Sequence, residues 1–103
     1  MIDRRRHPRT PISECGLLCA LDPASDFPEL DARITDVSDG GLGILTDSAV
    51  PVNLAVKVVL ANHVFVGEVA HCHHDGEAWS VGLEVRDGID YLRRLRDGAV
   101  MEV

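Results

Sequence analysis

The sequence predicts an all-β fold, a six-stranded antiparallel β-barrel followed by a short C-terminal α-helix, and three observations predict it. Apolar residues recur at a period of two in segment after segment, the mark of strands with one buried face. Turn residues punctuate those segments too closely for the helical crossovers that a parallel sheet needs. Only one stretch, near the C-terminus, spaces its apolar residues as a helix does. Closure into a barrel is expected because it removes the unpaired edges that make a small open sheet stick to other chains. With 103 residues, 46% of them hydrophobic, the chain supplies one core and no more, so residues 1–103 are read as a single domain.

Residues 15–21 form the first expected strand and residues 30–37 the second, separated by the Pro- and Asp-containing loop 22–29. The turn Ser38-Asp39-Gly40-Gly41 leads into the third strand, residues 42–46. In the fourth, residues 53–61, Leu54, Val56, Val58 and Leu60 point inward, and its β-branched residues suit a pleated surface. The turn Ala61-Asn62-His63 joins it to the fifth, residues 64–72. Asp75-Gly76 closes a hairpin before the sixth, residues 78–85, where Trp79, Val81, Leu83 and Val85 share one face and Ser80, Gly82 and Glu84 the other. The barrel is thus expected over 15–86, behind an arm of residues 1–11. A helix is expected over 87–97, with Asp87 as cap, Ile89, Leu92 and Leu95 on one face, Asp90 early, and Arg93, Arg94 and Arg96 late, before Gly98.

Charge is unevenly placed. Residues 1–10 carry four of the ten Lys and Arg residues and one Asp, about +3, so the rest must carry about −10 to give the formal −7. A reader of polymeric nucleic acid spreads basic charge over a whole face, because its affinity comes from neutralising many phosphates at once. One short cluster fits a small ligand with one or two phosphates. No apolar run approaches the roughly 18 residues of a membrane span, and no export-type apolar segment follows the first arginines, so a cytoplasmic location without membrane insertion is expected. Cys15, Cys19 and Cys72 are an odd number without scaffold-like density, which favours reduced thiols, core or half-buried. Cys15 and Cys19 are also too far apart along a strand, about 13 Å at about 3.3 Å per residue, to be bridged.

Two motifs carry the chemistry. The first is Arg5-x-x-x-Arg9, and the second is Asp36-x-Ser38-x-x-Gly41, beginning 27 positions beyond Arg9 at the junction of two expected strands. Arginine presents a planar fork of donors that matches phosphate oxygens or the O6 and N7 pair of guanine. An ionised Asp only accepts hydrogen bonds, which suits the N1 and N2 donors of guanine, and the Ser hydroxyl adds an adaptable donor or acceptor. Gly41 lets backbone come close to a flat base and permits positive φ. Each motif alone has an ordinary reading, a solvated basic tail in one case and a self-bonded turn in the other. Their occurrence together, in order, on a chain with six strands is what gives them meaning.

On these residues the chain resembles a PilZ domain, the bacterial receptor module for cyclic di-GMP. Arg5-Arg6-His7-Pro8-Arg9 is similar to the family's RxxxR arm, Asp36-Val37-Ser38-Asp39-Gly40-Gly41 to its [D/N]xSxxG turn, and Val81-Gly82-Leu83-Glu84-Val85 to its closing strand. The resemblance covers nearly the whole chain and implies a six-stranded barrel with a C-terminal helix. It implies that Arg5 and Arg9 bind phosphate and guanine, while Asp36, Ser38, Gly40 and Gly41 form the opposing lip. Arg4 stands where an additional Arg in relatives is associated with binding an intercalated ligand dimer.

The expected function is therefore that of a non-enzymatic cyclic di-GMP effector, needing no cofactor, whose arm orders on ligand binding and creates a surface for a downstream protein partner. Two alternatives are a ligand-independent adaptor of the same fold and a basic-arm binder of nucleic acid, the latter opposed by the acidic remainder. No nucleophile motif, phosphate-loop glycine pattern or metal-held carboxylate cluster points to catalysis. His71-Cys72-His73-His74 holds metal-ligand residue types, but a strand would put His71 and His73 on one side and Cys72 and His74 on the other, so no metal site is expected. Trp79, in phase with Val81 and Leu83, is expected in the core.

Overall fold

In the computed structural model, which describes residues 10–60 and 63–88, the alternating segments become six strands. They are β1 (Thr10–Ala20), β2 (Leu30–Val37), β3 (Gly41–Thr46), β4 (Ala55–Leu60), β5 (His63–Asp75) and β6 (Ala78–Asp87). Every pairing is antiparallel, and the sheet closes as a barrel in the order β1-β2-β3-β6-β5-β4, with β4 returning to β1. The inward side chains fill it: Leu18, Ile34, Val37, Leu42, Ile44, Val56, Val58, Phe65, Val69 and Val81 are essentially without solvent exposure. Leu83 and Val85 join them, so the predicted inward phases of the fourth and sixth strands hold at every position but their first. Leu54 is half-buried against the core, and Trp79 is also half-buried rather than interior, its ring 3.8 Å from that of His74 on the paired position of β5.

Several boundaries differ from expectation: β5 runs on to Asp75, three residues past its expected end, and three other shifts have a local reason. β1 starts at Thr10, five residues before the expected position, because Thr10 and Pro11 already pair with Val37 and Asp36. β4 starts at Ala55, because Asn53 turns the chain with a φ of 74° while Leu54 N–H donates to Pro51 O at 3.3 Å. β6 runs on to Asp87, opposite Val66. Gly88, with a φ of 101°, does not have the dihedrals of a first helical residue, so the expectation that Asp87 caps a helix is corrected: Asp87 is the last residue of β6. Residues 89–97 of that expected helix, and residues 1–9 of the expected arm, lie outside the described residues. The hairpin at Asp75 uses Gly76 at φ 65° as its first loop residue.

Two of the interruptions of register among the strand pairs bear on the residues around Asp36 and His71. Between β2 and β3 the pairs Ile34 with Ile44 and Asp36 with Gly43 leave Thr35 as an extra residue. Between β5 and β6 the pairs Val69 with Leu83 and His71 with Gly82 leave Ala70 extra in the same way. Each bulge reverses the facing of every residue beyond it.

Candidate functional site

Asp36 owes its outward position to Thr35. Ala32 and Ile34 point into the core, and unbroken alternation would send Asp36 in after them; the bulge puts the carboxylate outside and returns Val37 to the interior. Thr35 Oγ1 donates to Asp36 Oδ2 at 3.4 Å and reaches Gly43 O at 3.3 Å, tying the bulge to its partner strand. The carboxylate lies across Gly43, where an added Cβ would sit 2.6 Å from both of its oxygens.

The turn after β2 is built by its own backbone. Ser38 N–H donates to Gly41 O at 3.0 Å, and Val85 N–H of β6 donates to Gly40 O at 2.8 Å, which fastens the turn to the barrel wall. Gly41 is needed for closeness: a Cβ there would stand 2.9 Å from Leu83 O and 3.3 Å from the Ser38 hydroxyl. Gly41 does not use the positive φ that glycine permits; among described glycines only Gly76 and Gly88 do. A Cβ on Gly40 would meet nothing within 4 Å. The structure thus brings Asp36, Ser38, Gly40 and Gly41 together at one end of the β2–β3 hairpin. Arg4, Arg5 and Arg9 lie outside the described residues. Thr10 and Pro11, which follow Arg9 directly, pair with Val37 and Asp36.

Sequence reasoning missed two residues of this region. Gly43 pairs with Gly82, and a Cβ on Gly82 would overlap the imidazole of His71. One row across the outer wall therefore reads Pro11, Asp36, Gly43, Gly82, His71. The available signal was glycine inside a strand, which marks a bulge or a close approach. On the wall beside the turn, Glu84 and Glu68 flank Arg86 at 3.4 and 3.8 Å.

A sizeable depression among the described residues, about 420 Å³, lies further along β1, β2 and β3, lined by Cys15, Asp31, Arg33, Leu45 and Asp47 among others, and contains none of the turn residues. A ligand clasped between an arm and a wall needs an open face rather than a cavity, so motif geometry rather than concavity locates the candidate site. Cys15 is exposed, which corrects the expectation of an interior or half-buried thiol, while Cys19 and Cys72 are half-buried. Burial pushes the Cys19 thiol up from its ordinary value; Glu29, which accepts its S–H at 3.5 Å, pushes the same way, and Lys57 pulls it back. Among the described residues no group of His, Cys, Asp and Glu is placed to hold a metal ion, and no helix is long and apolar enough to cross a membrane.

Several solved structures share the architecture. The PilZ domain of YcgR from Escherichia coli, solved with c-di-GMP, superposes with a TM-score of 0.64 at 19% identity over 95% of this chain and 92% of that one. The inhibitor of motility MotI/DgrA from Bacillus subtilis gives 0.68 at 15% identity over 96% of this chain and 51% of its own. The MrkH–c-di-GMP complex from K. pneumonia gives 0.69 at 15% identity over 97% and 52%. The chain thus spans about half the length of the last two. A comparison with curated proteins finds no match. The family model of the PilZ domain matches residues 3–97, a span holding both arginines of the RxxxR arm, the Asp36 turn and all six strands, and the chain belongs to the PilZ domain family.

Proposed function

We propose that the chain is a receptor domain for cyclic di-GMP, in which Arg5 and Arg9 grip phosphate and guanine while Asp36 and Ser38 meet the ligand from the barrel wall. The observation that carries the reading is the register of β1: Pro11 stands opposite Asp36 and Thr10 opposite Val37, so the chain leaves the barrel beside the carboxylate turn, with Arg9 the next residue. An arm that left from any other strand end would have its arginines on another part of the surface. Support also comes from the wall beside the turn, where Arg86 is already flanked by two carboxylates, so the arm's arginines add cations that the phosphates of a cyclic dinucleotide need. Relatives of this fold solved with c-di-GMP, YcgR and MrkH among them, point to the same ligand.

The proposed mechanism is order on binding. Four arginines within six positions repel one another, and the ligand's two phosphates remove that repulsion. Residues 1–9 then lie against the turn, next to Thr10 and Pro11, which β1 already pairs with it, and the composite of arm, ligand and wall is a new surface for a downstream protein. Binding, not turnover, is the output. Calorimetric titration tests the reading. Arg5→Ala and Arg9→Ala should each weaken binding by about 1–3 kcal/mol, the scale of a lost bidentate guanine contact. Unchanged affinity in both variants would overturn it. A ratio near two ligands per chain would assign Arg4 to an intercalated ligand pair, and no binding at all would favour the ligand-independent adaptor.

A further inference from the structure

We propose that His71 is part of the ligand site, the partner of Asp36 in contacting the guanine base; the inference rests on the cyclic di-GMP reading above. His71 belongs to neither motif, and its strand otherwise serves as barrel scaffold.

Facing is the first support. Phe65 and Val69 point inward along β5, and unbroken alternation would turn His71 in after them. The bulge at Ala70 turns it out and sends Cys72 toward the core instead. This is the same device that Thr35 supplies in β2. The two bulges occur on strands that are not paired with each other, yet they act on one cross-strand row and aim a carboxylate and an imidazole at each other over two glycines.

Distance makes the arrangement a site rather than a coincidence. The backbones of Asp36 and His71 are three strand spacings apart, about 14 Å at about 4.8 Å per spacing. Each side chain leans inward by one strand, Asp36 over Gly43 and His71 over Gly82, with His71 Nε2 the leading atom. Both glycines are buried beneath them, while His71 itself stays exposed. The His73 ring, 5.7 Å away and inclined by 24°, stacks on the His71 ring from the side away from the turn. Asp36 and His71 thus form one continuous polar strip on the outer wall, and a base whose Watson–Crick edge meets Asp36 lies within reach of the imidazole. That ring offers a flat aromatic surface for stacking and a nitrogen that donates or accepts a hydrogen bond.

The experiment is a titration of the full chain with cyclic di-GMP, followed by calorimetry and by NMR of the histidine ring signals. His71→Ala should weaken binding roughly fivefold to tenfold. Gly82→Ala should do the same by displacing the imidazole, because the clash is with a side-chain end rather than with backbone. The double variant should be no worse than His71→Ala alone. In the unaltered protein the His71 ring signals should shift in step with the calorimetric isotherm. Should the unaltered chain fail to bind cyclic di-GMP, the receptor reading falls and this inference with it. Should it bind, and lose binding in Asp36→Ala, while His71→Ala stays within twofold and the His71 signals do not move, the inference alone falls. A lower melting temperature in either variant leaves the ring-signal shift of the unaltered chain as the deciding result.

Discussion

A single extra residue, Thr35, decides whether Asp36 stands on the outer wall or is a misplaced charge. In the even phase of β2 its carboxylate would enter an aliphatic interior, where an ionised group without partners is strongly unfavourable. One residue later in phase it lies on the outer wall, and Gly43 is the complement that lets it lie flat. Gly43→Ala is therefore a substitution that separates binding from folding. The new methyl would stand 2.6 Å from both carboxylate oxygens, which can rotate away, so Asp36 leaves its place while the strand keeps its pairing. We expect the melting temperature to move by no more than a few degrees and affinity for cyclic di-GMP to fall about tenfold, near the lower end of the cost of a lost base contact. Parallel thermal melts and calorimetry check both halves.

Among the elements, glycine does two different jobs on these strands. At Gly16 of β1 a Cβ would lie 2.5 Å from Val59 O, and at Gly67 of β5 it would overlap Glu84 O. These clashes are with backbone, so neither neighbour can step aside without breaking the ladder. Gly16→Ala and Gly67→Ala should each destabilise the barrel by about 1–3 kcal/mol, as overpacking does. Gly40→Ala, whose methyl would meet nothing within 4 Å, should stay within about 0.5 kcal/mol. Urea unfolding of the three variants ranks them, and equal midpoints for all three would contradict the close strand approaches at β1–β4 and β5–β6.

For the molecule as a whole, charge is unevenly distributed along the chain. About +3 sits in residues 1–10 and about −10 in the remainder, so arm and body attract each other weakly and the arm attracts an anion strongly. On the proposed reading, rising salt should weaken cyclic di-GMP binding, because part of the interaction is neutralisation of phosphate by arginine side chains. Removing residues 1–9 should abolish binding and leave the barrel folded, since among the described residues β1 pairing begins at Thr10 and the fully buried side chains lie at 18 and beyond. Calorimetry across a salt series and a melting curve of the shortened chain test the two statements. Affinity indifferent to salt would mean that the arm's charges take no part.

By itself the sequence determined the strand content, the inward phases of β4 and β6, the hairpins at Asp75 and after Leu60, and the two motifs, because period-two alternation and turn chemistry are local properties. Its local rules also led astray where a turn or a pairing overrode them, as at Asn53, whose φ of 74° ends the run expected as strand, and at Thr10, which is a strand residue only because Val37 is opposite it. Only the tertiary structure decided which strands meet across the barrel, β3 with β6 and β1 with β4, and where the extra residues Thr35 and Ala70 fall. A bulge is defined by the partner strand it faces, so no single segment announces it. For that reason Asp36 was legible as a motif residue, while its row with Gly43, Gly82 and His71 became visible only when four strands lay side by side.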